Sequence, residues 1–150
     1  MEREAVYERM LLATDGSENA ELAAQRAIEM ADCHDAALHV LYVAEKTTED
    51  PAQRGVEEKI AEELNRETDV VEDVEARATE RGIEIETAIE PGVPRTMIET
   101  YADERGIGLV VLGSTGASGV TEKLVGTVAK YVVNEVPADV FVVRPDSRLE

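Results

Sequence analysis

Cysteine occurs once in this 150-residue chain, at Cys33, so no internal disulfide can form and an intracellular location is expected. The lone thiol is read most simply as a small buried hydrophobe. No segment approaches the ~20 apolar residues of a membrane span. The acidic start, Met1 to Glu4, lacks the basic and apolar regions of a signal peptide. A cytoplasmic protein is the expectation. Positive charge is equally scarce: 15 Lys+Arg stand against 33 Asp+Glu, a formal net charge of −18. That charge excludes a nucleic-acid partner, whose phosphates would be repelled. Lysine appears only at Lys46, Lys59, Lys123 and Lys130, tryptophan not at all, and aromatics make up 3%. The acidity is spread along the chain rather than gathered in a tail. Such a composition suggests a halophilic protein, kept soluble in high salt, the alternative being an ordinary acidic bacterial protein.

What is present is a regular alternation. Apolar strand patterns at Arg9–Thr14, Ala37–Val43, Glu84–Ile89, Leu109–Gly113 and Val140–Val143 alternate with helical ones. The first helix starts after Ser17 as N-cap and runs to about Cys33, burying Ala20, Ala23, Ala24, Ala27, Ile28 and Ala31. A polar linker, Ala44–Pro51, precedes a second helical pattern in one or two pieces, with a stripe of Val56, Ile60, Leu64, Val71, Val74 and Ala78. Gly82 ends it, and Gly106 ends a third helix that starts near Pro94. The fourth helical pattern spans about Thr121 to Val136. One α/β domain over residues 1–150 follows, a doubly wound parallel sheet with helices on both faces. Five parallel strands can be ordered in several ways; right-handed crossovers on both faces make 3-2-1-4-5 the natural doubly wound order, which puts the switch point between strands 1 and 4.

The two loops that meet there carry the best polar candidates. One is Ala13–Ser17. The other is Gly113-Ser114-Thr115-Gly116, nine residues, then Gly126-Thr127. Strand, glycine-rich loop and helix start together present backbone N–H groups to an anion, and Ser114, Thr115, Ser118 and Thr127 add hydroxyls. Only Lys123 brings positive charge. The spacing is neither that of a P-loop nor G-x-G-x-x-G. Asp15 could be simply a turn aspartate, and the glycines simply close packing of loop on sheet. His34 and His39 have no partners at metal-ligand spacing and read as structural.

Glycine, two residues, glycine, nine residues, glycine and then Ser/Thr resembles the nucleotide loop of the universal stress protein family. Met10-Leu-Leu-Ala-Thr-Asp-Gly-Ser17, Leu38-His-Val-Leu-Tyr-Val43 and Pro137-Ala-Asp-Val-Phe-Val-Val-Arg144 resemble its first, second and closing strands, in the same order. The resemblance implies an adenine-nucleotide-hydrolase-like sheet, a bound ATP or AMP with or without Mg²⁺, a homodimer through the strand around Val140–Val143, and a role as stress sensor or regulatory module. Asp15 and Val43 would hold the adenosine beside Ala13 and Leu112. Gly113, Thr115 and Gly116 would meet the ribose and inner phosphates, and Gly126, Thr127 and Val128 the outer ones. Ala13 stands where relatives often have proline, Thr115 where many have His or Arg, and Ala117 where a basic or bulky residue is common. These replacements weaken the grip on a triphosphate and favour AMP. No Ser-His-Asp group, carboxylate pair or P-loop lysine reads as catalytic, so slow ATP hydrolysis would be incidental. The alternatives are a dimeric interaction protein of the same fold that binds no nucleotide, and a nucleotide-cleaving or transferring enzyme of the wider superfold.

Overall fold

The computed structural model describes residues 6–44, 56–115 and 126–145, with side chains described from residue 64 onward in the second of these segments. Five parallel strands form one sheet in the order β3-β2-β1-β4-β5. They are β1 (Arg9–Thr14), β2 (Ala37–Ala44), β3 (Ile85–Pro91), β4 (Leu109–Gly113) and β5 (Asp139–Val143). Helices α1 (Glu18–His34), α2 (Val56–Glu80), α3 (Pro94–Glu104) and α4 (Thr127–Glu135) make the crossovers. The strand order is the expected doubly wound one.

Period-2 side-chain alternation divides the core into two layers. Met10, Leu12, Leu38, Val40, Leu109 and Val111 pack under α1 and α2, among Ala23, Ala27, Val71 and Val74. Leu11, Ala13, Leu41, Val43, Val110 and Leu112 point the other way, under α3 and α4. Strands β1 and β4 are buried on both faces and therefore read as unbroken apolar runs. Helix α1 lies close on the sheet because its buried stripe is mostly alanine. Its N-cap Ser17 accepts the Ala20 N–H (3.2 Å), and Asp35 closes it in the left-handed conformation.

Several expectations need correction. The second helical pattern forms one helix, Val56–Glu80, but Leu64 is 56% exposed rather than part of its buried stripe. Cys33 is exposed, on the water side of α1. Strand β3 runs to Pro91, which an edge strand tolerates because no neighbour needs the missing N–H there. The fourth helix begins at Thr127, since Gly126 is extended (φ −69°, ψ 165°) and caps it. Most of the linker Ala44–Pro51, together with Gly116, Ala117, Ser118 and Lys123, lies outside the described residues. Among the described residues no helix is long and apolar enough to cross a membrane.

His39 ties β2 to α3. It is buried on β2, with Nδ1 2.8 Å from the Tyr101 hydroxyl of α3. The Arg105 guanidinium lies 4.2 Å from the centre of the Tyr101 ring, and Glu86 sits 3.9 Å from both His39 Nδ1 and Arg105 Nε. Burial lowers the imidazole pKa from its ordinary 6.5, outweighing the raising effect of Glu86. The unfolded chain therefore binds this proton more readily. The stability His39 contributes is intact above about pH 6.5 and is lost as pH falls through its lowered folded value. His39→Leu is expected to cost about 1–3 kcal/mol at pH 8, because Tyr101 loses its partner. That deficit should shrink by pH 5. Melting curves of both proteins across this range measure it, and a constant deficit would refute the linkage.

Candidate functional site

The carboxyl ends of β1 and β4 face the crevice where α1 leaves to one side and α4 to the other, the place open α/β sheets offer to ligands. The turn after β1 is held by its own side chains. Thr14 Oγ1 accepts the Gly16 N–H (3.1 Å) and Asp15 Oδ1 accepts the Ser17 N–H (3.0 Å). The Tyr42 hydroxyl, reaching from β2, donates to the Asp15 carbonyl (3.0 Å). Asp15 thus does fill the turn role, and its half-buried carboxylate is fixed at the rim of the crevice.

The glycine loop begins where β4 ends. Ser114 is buried, and its N–H donates to the Val143 carbonyl at the end of β5 (2.8 Å). Gly126 then donates its N–H to the Ser114 carbonyl. This bond brings the two glycine-bearing halves of the motif, separated in sequence, side by side. Both glycines sit where a side chain has little room. A Cβ on Gly126 would lie 3.1 Å from the Ser114 carbonyl oxygen, and one on Gly113 2.8 Å from Asn19 Oδ1. Close packing of loop on sheet is therefore real, and it shapes the cradle.

The loop amides are less available than the sequence implied. Those of Ser114, Thr115 and Gly126 already have acceptors within the protein. Among the described residues of the loop, the donors left are first-turn amides of α4, which no side chain caps and to which the helix dipole adds partial positive charge. Residues 13–19, 113–115 and 126–128 include no lysine or arginine, but they do include Asp15 and Glu18.

Ala13, Val43 and Leu112 are buried in the layer beneath α3 and α4, each at the carboxyl end of its strand. Asp15, Gly113, Thr115, Gly126, Thr127 and Val128 lie on the loops and helix start at the same end. Sequence reasoning missed Asn19. It is buried in the first turn of α1 and hydrogen-bonded to both Thr115 and Val143. Its signal was present: a polar residue immediately before Ala20 on the helix's buried stripe. A groove of about 370 Å³ between α1 and α2, lined by Gln25, Ile28, Glu29, Arg77, Glu80 and Arg81, lies elsewhere. Its arginines already pair with Glu21, Asp73 and Asp32.

Comparison with known proteins gives a consistent result. The profile of the "Universal stress protein family" matches residues 6–144. A universal stress protein of Methanocaldococcus jannaschii is 33% identical over 144 residues, covering 94% of this chain and 84% of its own. The solved structure of universal stress protein UspA from Lactobacillus plantarum superposes with a TM-score of 0.84 at 31% identity, covering 94% of this chain and 100% of that one. A universal stress protein solved in complex with cAMP gives a TM-score of 0.71 at 26% identity, over 93% of this chain and 98% of that one.

Proposed function

Because the chain belongs to the universal stress protein family, we propose that it binds an adenine nucleotide, AMP or ATP, at the carboxyl ends of β1, β2 and β4 and acts as a cytoplasmic stress sensor or regulatory module. The observation that carries this reading is the Gly126 N–H to Ser114 carbonyl bond, which joins the halves of the glycine motif beside the start of α4, where no side chain caps the first-turn amides. Asp15 and Val43 hold the adenosine, with Ala13 and Leu112 behind it. Gly113, Thr115 and Gly116 take the ribose and inner phosphates. Gly126, Thr127 and Val128 take the outer ones through backbone donors. A cAMP-bound relative supports an adenine ligand. The scarcity of cations around the described loops favours AMP over ATP unless Mg²⁺ offsets the added charge.

Saturation at 100 times the dissociation constant is expected to add about 2.7 kcal/mol. For a domain of this size that raises the melting temperature by roughly 5–10 °C. Gly126→Val should abolish the shift, since its branch would fill the cradle against Ser114 and Thr115. The ligand-free melting curve of the variant reports whether its fold survives. Absence of a shift in the wild type with millimolar AMP, ADP, ATP or cAMP refutes the nucleotide reading. It would favour an interaction protein of the same fold, which the inward-turned Thr115 donors also suit.

Assembly belongs to either reading. Strand β5 is a sheet edge, with Phe141 39% exposed and Val140 and Val142 half-buried. Pairing with a second copy would remove an apolar edge. Wild type is expected to sediment as a dimer at micromolar concentration and Phe141→Lys as a monomer. A monomeric wild type overturns this.

A further inference from the structure

Asn19 is 8% exposed and makes polar contacts with two segments distant in sequence. Its Oδ1 accepts the Thr115 N–H at 2.8 Å and the Thr115 hydroxyl at 3.1 Å, with the Ser114 hydroxyl farther off at 3.4 Å. Its Nδ2 donates to the Val143 carbonyl at 3.0 Å. The same carbonyl accepts the Ser114 N–H. The orientation of the amide is unambiguous: Thr115 N–H can only donate and the Val143 carbonyl can only accept. Gly113 completes the fit, because the space for its Cβ is filled by Asn19 itself.

We propose that Asn19 is the positioning residue of the glycine loop, fastening its first turn to the start of α1 and to the end of β5 so that the three behave as one unit. Few side chains could do this. Aspartate cannot donate to Val143, serine is too short to reach both partners, and leucine would leave the Thr115 amide and the Val143 carbonyl without Asn19. The consequence for ligands, which rests on the nucleotide reading above, is that the cradle is set before a phosphate arrives. A prearranged site spares the ligand the entropy of ordering it.

The experiment uses the full chain and its Asn19→Ala and Asn19→Asp variants, with two readouts. The first is amide hydrogen exchange in ligand-free protein, comparing Thr115 with Val111 on the central strand β4 as the reference for global opening. Asn19→Ala should speed exchange at Thr115 about ten- to a hundredfold more than at Val111. Asn19→Asp keeps the acceptor, so Thr115 should stay close to wild type. Equal acceleration at both positions in Asn19→Ala, or none at Thr115, overturns the proposal, because Asn19 would then be a stability residue only. The second readout is AMP affinity, expected to fall about tenfold or more in Asn19→Ala. Unchanged affinity with a loosened Thr115 also overturns it. Wild type that binds no AMP while Thr115 responds as expected refutes the nucleotide reading and leaves the positioning role supported.

Discussion

Lowering KCl from 1 M to 0.1 M is expected to drop the melting temperature by about 10–20 °C. The chain carries a formal charge of −18. Treated as a sphere of radius ~19 Å, its electrostatic self-energy rises by roughly 7 kcal/mol as the screening length grows from about 3 to about 10 Å. The expanded unfolded chain shares part of that rise, leaving on the order of 5 kcal/mol against the folded state. The ion pairs do not cancel it. Arg77 is shared by Glu21 and Asp73, Arg81 by Glu29 and Asp32, and Arg105 by Glu86 and Glu104, all at least partly exposed. Such pairs contribute about 0–1 kcal/mol each. Self-repulsion therefore wins over the loss of attraction when salt is added. The same sign applies to the ligand. An anion approaching the acidic, dipole-lined site should bind more tightly as KCl or Mg²⁺ is raised, opposite to a basic phosphate site. Melting curves and AMP titrations at 0.1, 1 and 3 M KCl test both. Equal stability at all three, with affinity falling as salt rises, would refute the high-salt reading and the account of the loop.

Gly113→Ala is expected to cost about 3 kcal/mol, the upper end of ordinary overpacking. That lowers the melting temperature by roughly 6–12 °C. The added methyl would lie 2.8 Å from Asn19 Oδ1, 2.9 Å from its Cγ and 3.2 Å from its backbone carbonyl carbon. The side chain cannot swing away without giving up Thr115 and Val143, and the backbone contact belongs to the first turn of α1. Adding Asn19→Ala to Gly113→Ala should recover part of the loss, since only the two shortest contacts involve the side chain. Strictly additive destabilisation in this cycle would show that the two residues do not share the space assigned to them. A single variant as stable as wild type would mean the loop packs differently.

Much of the architecture was legible beforehand. Unbroken apolar runs in Leu109–Leu112 and Met10–Ala13 mark strands covered on both faces, as β4 and β1 are. The alternation of Ile83, Ile85 and Thr87 with Glu84, Glu86 and Ala88 reads as a half-exposed edge strand, as β3 is. Gly82 and Gly106 take positive φ just past α2 and α3, a role legible from their place in the pattern. Errors fell where periodicity marks a face but not what covers it. Leu64 keeps the helical spacing of α2 yet is exposed. Cys33 has a type that is usually buried but falls on the outer side of α1. For the candidate site, the glycine spacing and the switch point both pointed to the carboxyl ends of β1 and β4, where the Ser114 and Gly126 ends of the loop meet, while the direction of each donor was beyond reach.

The sequence by itself determined the alternating elements, the acidic character and the loop where glycines cluster, because each depends on local pattern. For the strand order, right-handed crossovers left several arrangements and the family resemblance selected one. Tertiary structure decided how the polar groups of that loop are spent. Thr115 finds its acceptor in Asn19, 96 positions earlier, and Asn19 finds its own in Val143, 124 positions later. Local pattern reports which residues leave water. Only the closed fold sets which buried donor meets which acceptor, because every such group needs a partner and the sheet brings distant ones within 3 Å.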